Sequence, residues 1–536
     1  MPHVITQNCC NDAGCVDACP VDCIHPRPDE PGYLSAEMLY IDPDKCIDCG
    51  ACIPMCPVDA IRTEADLEPK FLRYKDLNAF YASESPAPAP RAAIPLTIRT
   101  SSRALRVAIV GAGPAGLFAA EHLLTQPGMR VEVDVYDRLP TPWGLIRAGV
   151  APDHQQTKAA AEVFRWTTRR PGFRYQLGVE VGRDITHPEL SNAYHAVIYA
   201  VGASVDRHLG IPGEDLPGSH SATDFVAWYN GHPDHADQEF DLSGTRAVII
   251  GNGNVALDVA RILVSDPATL APTDIADHAL EALRHSNIRE VLVVGRRGPA
   301  EAAYTTPELL GLANVPGVEI RIQPDEVREA SGLKVDVLRE VVRQQQSGPR
   351  QIILRYLHSP VEILGVNHVE GVRVVRNELQ AVDGGVRAVP IDEFETVATG
   401  LVLRSIGYRG TALPDVPFDE SRGVIPNVNG RVAPGVYATG WIKRGPSGVI
   451  GTNKQCARET AEALLEDAVA NRLPTPPKNL WHIDRLLDER APRRLDVRGW
   501  NAIDRSEREA GRLAGRPRRK FTNIEELIRT AMSAPR

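Results

Sequence analysis

The 536-residue chain has no run of about 20 consecutive apolar residues, the length a helix needs to cross a bilayer, so no membrane span is expected. Its first residues, Met1-Pro-His-Val, lack the apolar core of a secretory leader, which predicts a cytoplasmic location and reduced thiols. Basic residues do not dominate. The 60 Lys and Arg stand against 69 Asp and Glu, a net charge of −9, and nucleic acid is not expected as a partner. Cysteine is nearly absent after residue 56, where only Cys456 remains, and that one reads as a buried, incidental thiol. The other nine of the 10 crowd one end, in a chain far too long to be a disulfide-stapled mini-protein.

What is present begins with those nine. Residues 46 to 57 read Cys46-Ile-Asp-Cys49-Gly-Ala-Cys52-Ile-Pro-Met-Cys56-Pro57, the Cys-x2-Cys-x2-Cys-x3-Cys-Pro run that wraps an iron–sulfur cubane. In two-cluster proteins the fourth cysteine of such a run crosses to the other cluster, so a partner run is expected. It lies upstream as Cys9-Cys10-Asn-Asp12-Ala-Gly-Cys15-Val-Asp-Ala-Cys19-Pro20, with Asp12 where the second cysteine would stand. Three cysteines, Cys9, Cys15 and the crossing Cys56, suit a [3Fe–4S] cluster. Cys46, Cys49, Cys52 and the crossing Cys19 suit a [4Fe–4S] cluster. Asp12 or Cys10 as a fourth ligand would make the first cluster [4Fe–4S] as well, and that alternative stays open. Zinc uses paired Cys-x2-Cys motifs too, but two such spacings in a row followed by Cys-Pro favour iron. This segment resembles the seven-iron bacterial ferredoxins, a resemblance that extends to Cys23 and implies that it lies near a cluster without ligating it.

The acid of the chain belongs to this segment: residues 1–68 hold thirteen Asp or Glu and three Lys or Arg, a balance of −10 that leaves +1 for everything after it. A small acidic electron carrier is steered toward basic docking patches, though such a surface is as often simply solvated. The Pro/Ala-rich stretch Ser83 to Pro95 follows and reads as an interdomain tether.

Beyond it, the apolar run Leu105–Val110 enters Gly111-Ala-Gly113-Pro-Ala115-Gly116 and then a helical pattern. The first glycine makes the strand-to-helix turn, the second admits a pyrophosphate to the backbone, and the third allows close helix packing. The next strand ends in Asp137, an acid that accepts a ribose diol and repels a 2′-phosphate, so FAD or NAD is expected here. A second unit starts at Thr245 and repeats the pattern as Gly251-Asn252-Gly253-Asn254-Val255-Ala256. Its next strand ends in Arg296-Arg297, two guanidiniums that suit a 2′-phosphate and point to NADP.

One acid-tipped and one arginine-tipped nucleotide fold describe a flavoprotein that takes hydride from NADPH. Residues 105 to about 470 resemble the adrenodoxin reductase family of ferredoxin–NADP+ reductases. The likeness is carried by Pro142-Trp-Gly-Leu145-Ile-Arg-Ala-Gly-Val-Ala-Pro-Asp-His154, by Gly251 through Asp258-Val-Ala-Arg, by Gly295-Arg-Arg-Gly-Pro299, and by Gly440-Trp441-Ile-Lys-Arg-Gly-Pro-Ser-Gly448-Val-Ile450. With the leading segment, the chain is similar to the mycobacterial type in which a ferredoxin is fused to the reductase. The resemblance implies FAD contacts at Ala115, Asp137, Leu145, Val181, Trp441 and Gly448, Val449 and Ile450. It implies NADP contacts at Asn252, Gly253, Asn254, Val255, Arg296, Arg297 and Glu308, and an active-site pair of His154 and Asp258. Asp137 departs from the family's usual Glu and keeps the charge on a shorter arm.

The expected fold is α/β: two Rossmann-like, glutathione-reductase-like domains preceded by a small α+β two-cluster ferredoxin domain. The boundaries read as ferredoxin 1–70, linker 71–104, FAD domain 105–205 and 431–470, NADP domain 206–430, and a helical tail 471–536. The tail's basic Arg516-Pro-Arg-Arg-Lys520 reads as solvated, with docking onto the acidic ferredoxin as the other possibility. The expected activity passes hydride from NADPH to FAD and single electrons through the clusters to a ferredoxin or a terminal monooxygenase, reversibly and as a monomer. Two other readings stand beside it. One is an NADPH-fed subunit of a larger oxidoreductase, similar to the small subunit of glutamate synthase. The other is a cluster-based redox sensor, which would have no use for an NADP set.

Overall fold

The computed structural model of the chain describes residues 2–84, 101–344, 348–382 and 385–533. Two short antiparallel pairs build the leading unit: His3–Ile5 with Ile61–Thr63, and Ile24–His25 with Tyr40–Ile41. Pairing His3 with Thr63 folds the ends of the segment together, so its two cysteine loops share one small core with Val4, Val16, Tyr33 and Leu39.

Residues 71 to 84, placed in the linker on sequence, belong to this unit instead. The helix Arg73–Glu84 packs against both strand pairs and buries Tyr74 and Leu77. Its buried Asn78 accepts the amides of Ile5 (3.2 Å) and Ile41 (2.9 Å) and donates to the Ile5 carbonyl (2.9 Å), so one side chain ties the two pairs together. The rest of the expected tether, 85–100, lies outside the described residues.

Two six-stranded sheets dominate the remainder. The first runs Arg431–Ala433, Val436–Ala438, Ala196–Tyr199, Ser101–Val110, Met129–Asp137, Phe173–Leu177, parallel except for the outermost Arg431–Ala433. Val110 stands level with Tyr136 and Tyr199, so the Gly111 turn and Asp137 emerge at the same sheet edge. That edge, beyond the carboxyl ends of parallel strands, is where such sheets bind ligands. Alternation along the strand sends Val107 and Ile109 into a cluster with Leu117 and Ala119, and Ala108 and Val110 into one with Tyr136 and Tyr199 on the opposite face.

The second sheet runs Ser219–Ser221, Leu401–Arg404, Arg246–Ile250, Glu290–Val294, Arg350–Arg355, Val318–Ile322, all parallel. Here Ile250 is level with Val294, which brings Gly251 and Gly295 to one edge. An antiparallel three-stranded sheet, His358–Leu364, Gly371–Val382 and Gly385–Ala398, packs against it.

The tail is not a solvated helix. Glu507, on the helix Val497–Leu513, has no exposed surface. It accepts two hydrogen bonds from Arg147 (2.8 and 2.6 Å) and one from Arg518 (2.5 Å). Lys520 meets Asp274 at 2.9 Å, and Arg516 and Arg519 both pair with Asp277. The basic run thus closes onto acids of the nucleotide domains rather than onto the ferredoxin, joining the loop of Arg147 to the unit that carries Asp274 and Asp277.

Candidate functional site

The first glycine turn is built to leave its edge open. Gly111 has φ +110°, and a Cβ there would lie 2.4 Å from the Ala200 carbonyl oxygen. On Gly116 a Cβ would lie 2.0 Å from the Gly111 oxygen, so the helix Pro114–Leu124 sits as close as glycine permits. The Trp143–Gly144 loop crosses directly over this turn: Trp143 N–H donates to Ala112 O at 2.8 Å, and Gly144 approaches Gly113. Leu145, next in line, is therefore beside the turn and part exposed. Trp143 itself holds φ +85°, an uncommon value for a bulky residue. It is clamped edge-on by Trp500 (ring centroids 4.8 Å) and capped by Arg518.

Asp137 is turned inward. Its carboxylate accepts Ala112 N–H and Leu139 N–H, each at 2.9 Å. Burial pushes its pKa up, against the pull of those two amides. Each oxygen retains a free acceptor direction, which fits a ribose diol on the short arm.

On the far side, Gly440 presses against Ala115, where only glycine fits: its Cβ would stand 2.6 Å from the alanine methyl. Trp441 follows, its ring 5.5 Å from Tyr408 and its indole N–H donating to Ser447 O. Gly448, Val449 and Ile450 lead into the helix Ile450–Val469, which packs along Pro114–Leu124. Gly111, Gly113, Ala115, Gly116, Asp137, Leu145, Trp441 and Gly448 to Ile450 are thus gathered about one edge. Val181 packs against the cluster that holds Val110 and Tyr136, the residues just before Gly111 and Asp137, two positions after Val179, whose N–H donates to Asp137 O at 2.9 Å.

In the second unit Gly251 (φ +112°) would carry a Cβ 2.1 Å from Ser405 O. Gly253 and Val255 flank Asn254, whose Oδ1 accepts Thr305 N–H at 2.8 Å, and Asn252 packs its amide against Gly295. Arg296 is exposed and Arg297 part exposed, and among the described residues neither guanidinium meets a carboxylate or donates a hydrogen bond. Two guanidiniums so placed at a strand end suit an anion.

Between the two units lies a charged knot. Arg261, three residues after Asp258 on the helix Asn254–Val264, is buried among three acids. It donates to Asp153 (2.6 and 3.1 Å), Glu308 (2.7 Å) and Asp258. His154 stands 3.8 Å from Asp258 and 4.0 Å from Glu308, brought alongside both but hydrogen-bonded to neither. Burial pushes the Asp258 carboxyl up to about 6, the Glu308 charge adding to this against the pull of Arg261. Burial acts on Asp153 in the same sense, but Arg261 outweighs it and holds the group at about 2. Sequence reading named His154, Asp258 and Glu308 and missed Asp153 and Arg261. The i, i+3 spacing of Asp258 and Arg261 was the available signal.

The cysteines separate into two groups. Cys19, Cys46, Cys49 and Cys52 line one small cavity with Cys23, whose sulfur is 3.4 Å from that of Cys19. Cys9, Cys15 and Cys56 are mutual neighbours beside Cys10 and Asp12. Burial pushes the thiols of Cys9 to about 12 and Cys52 to about 11, with neighbouring sulfurs adding to it. Crowded, desolvated sulfurs of this kind fit iron, which takes them as thiolates and compensates their charge.

A nucleotide-binding redox flavoprotein with an attached iron–sulfur unit is the class that this fold and these sites define. The description "4Fe-4S binding domain" matches residues 39–62, and "Pyridine nucleotide-disulphide oxidoreductase" matches residues 105–289. A probable ferredoxin/ferredoxin–NADP reductase of Mycobacterium tuberculosis is 48% identical over 565 residues, covering 100% of this chain and 96% of that protein. The human mitochondrial NADPH:adrenodoxin oxidoreductase is 41% identical over 456 residues, covering 80% of this chain and 92% of that one. Among solved structures, M. tuberculosis FprA in complex with NADPH superposes with a TM-score of 0.77 at 46% identity, over 80% of this chain and all (100%) of FprA. The chain belongs to the ferredoxin-fused ferredoxin–NADP reductases of the adrenodoxin reductase family, and it is an oxidoreductase.

Proposed function

We propose that this protein is an NADPH:ferredoxin oxidoreductase that passes electrons from NADPH through FAD and its own two clusters to a separate ferredoxin or a monooxygenase. The observation that carries this is the seating of the cysteine unit on the nucleotide domains: Gly451 N–H donates to Cys10 O at 2.7 Å, at the first turn of the helix that follows Gly448 to Ile450. FAD, when bound, would supply the conversion of a two-electron hydride into single electrons, and clusters held by the cysteines would accept one electron at a time.

The chain's own residues do the rest. Arg296 and Arg297 hold the 2′-phosphate and so select NADPH over NADH. The glycine turns at 111–116 and 251–256 seat the pyrophosphates at helix starts, and Asp137 accepts the FAD ribose. Asp153 and Arg261 lock the His154 loop to the helix that carries Asp258. His154 and Asp258 then polarise the space where hydride leaves the nicotinamide, without acting as a base. Asp258, at about 6, can take up or release a proton near neutral pH.

The upstream cluster is [3Fe–4S] in this account. Of the two alternative fourth ligands, Asp12 is engaged by Lys454, whose Nζ stands 3.3 Å from its carboxylate and donates to its carbonyl at 2.9 Å, and Cys10 packs into the apolar cluster of Ala112, Ala115 and Leu117. The enzyme works as a cytoplasmic monomer, and no helix among the described residues is long and apolar enough to cross a membrane. Iron and flavin analysis of the anaerobically purified protein tests the reading. Roughly seven irons per FAD, with NADPH bleaching the flavin far faster than NADH, is the expected result. Roughly eight irons would restore a [4Fe–4S] upstream cluster, and bound zinc or no FAD would end the proposal.

A further inference from the structure

The two cysteine groups face different surroundings. Cys10 belongs to the apolar cluster that contains Ala112, Ala115 and Leu117 of the first glycine turn and helix, and Cys9, Cys56 and Ile450 pack against that cluster. The backbone contact is as tight as chemistry allows, for a Cβ on Gly451 would fall 1.9 Å from Asn11 O. By contrast, every residue lining the cavity of Cys19, Cys46, Cys49 and Cys52 comes from the leading unit, and Cys49 is exposed. We propose, resting on the function above, that electrons enter at the Cys9–Cys15–Cys56 site and leave from the Cys19–Cys46–Cys49–Cys52 site. The surface around Ile47 and Cys49 then docks an external one-electron acceptor protein with a basic rim.

The unit is seated by contacts to both nucleotide domains that set the Cys9–Cys15–Cys56 site at the junction. Lys454 grips Asp12 on one side. On the other, Glu37 accepts Thr306 N–H at 2.8 Å and pairs with Lys334 at 3.2 Å, and the buried Tyr74 donates its hydroxyl to Pro307 O at 3.2 Å. Electron transfer falls steeply with distance, which gives the site at this junction the first step.

The outward face has the chemistry of a docking surface. Ile47 (59% exposed) and Val21 (36%) form an apolar centre at the mouth of the cavity, with Asp44 and Asp48 exposed in the same loop. The three bases of residues 1–68 are each neutralised, Arg27 by Asp22 and Glu30, Lys45 by Asp42 at 2.9 Å and Arg62 by Asp59 at 2.5 Å, and Lys70, Arg73 and Lys75 pair with Glu68, Asp76 and Glu64. A net-negative rim around an apolar centre complements a positively charged partner. Each NADPH gives up two electrons and becomes NADP+ with release of a proton, and the two electrons leave one by one to reduce two acceptor molecules.

The test uses holoprotein variants with cytochrome c, a basic haem protein, as the acceptor probe. Ile47→Lys should lower kcat/KM for cytochrome c on the order of tenfold at low salt, the deficit shrinking as salt is raised. Rapid-freeze EPR after NADPH should show both of its clusters reduced at the wild-type rate. Lys454→Gln removes a cation beside Asp12, so it should lower the midpoint potential of the Cys9–Cys15–Cys56 cluster alone and slow the reduction of both. Slowed cluster reduction in Ile47→Lys, or a potential shift confined to the other cluster in Lys454→Gln, overturns the proposed order. Val21→Lys replaces the first arm if Ile47→Lys loses iron. A wild-type protein whose flavin NADPH does not bleach refutes the underlying function instead.

Discussion

Replacing Glu507 with glutamine tests how the tail holds the enzyme together. The carboxylate has no exposed surface and serves four donors: two from Arg147 (2.8 and 2.6 Å), one from Arg518 (2.5 Å) and the Phe521 amide (3.0 Å). Glutamine keeps one oxygen but turns an NH2 toward a guanidinium, donor against donor. Arg518 retains Asp504 at 2.5 Å, whereas Arg147, itself 9% exposed, is left without a compensating charge. Breaking one side of a buried ion pair costs about 3–5 kcal/mol. That is a large part of the roughly 5–15 kcal/mol that stabilises a domain. Urea unfolding followed by tryptophan emission and FAD release should show that loss, with Trp143 and Trp500 reporting on the disturbed loop.

The pH dependence has a definite sign. Burial would raise the Glu507 pKa, but Arg147 and Arg518 outweigh it and hold the group below its usual value of 4.5. The stabilisation is therefore complete above that value and fades as pH falls through the lower folded pKa. The glutamine variant should lack this acid-side decline. A loss of stability under about 0.5 kcal/mol, typical of a surface change, would refute the reasoning.

Further predictions concern the nucleotide sites. Arg297→Ala should lower kcat/KM for NADPH about 10- to 100-fold, the worth of one or two charge-assisted hydrogen bonds, and leave NADH unchanged; steady-state kinetics with both coenzymes decides it. Asp258→Asn should remove an inflection near pH 6. Because burial raises the Asp258 pKa from 3.8 to about 6, its contribution to stability is full at low pH and lost as pH rises through about 6. The variant should thus gain thermal stability relative to wild type above that pH, measured as Tm against pH. Gly451→Val forces a side chain into Asn11 O and should cost about 1–3 kcal/mol in the docking of the leading unit. NADPH-driven cluster reduction should slow while flavin bleaching by NADPH continues.

The local structure around the candidate sites was legible where a few adjacent residues settle the conformation. Cysteine spacing, the glycine turns, Asp137 and Arg296-Arg297 are local patterns of strand, turn and helix, and their register follows from parallel pairing. What escaped was long-range or disguised. Asp153 meets Arg261 across 108 positions, and Arg147 meets Glu507 across 360. Nothing in either neighbourhood marks the partner. The charges of Arg516 to Lys520 suggested solvent because composition alone does not reveal that Asp274, Asp277 and Glu507 await them. The helix Arg73–Glu84 hid because its inward face carries Asn78, a polar residue that works as a buried hydrogen-bond bridge, among the apolar Tyr74, Leu77 and part-buried Tyr81.

The most direct measurement is an anaerobic titration of the purified chain with NADPH, followed by visible absorbance and EPR on one sample. The account predicts that NADPH bleaches a bound FAD and then changes the signals of two iron–sulfur clusters within the same polypeptide. A flavin that bleaches while both clusters stay oxidised, when dithionite can reduce them, would contradict it.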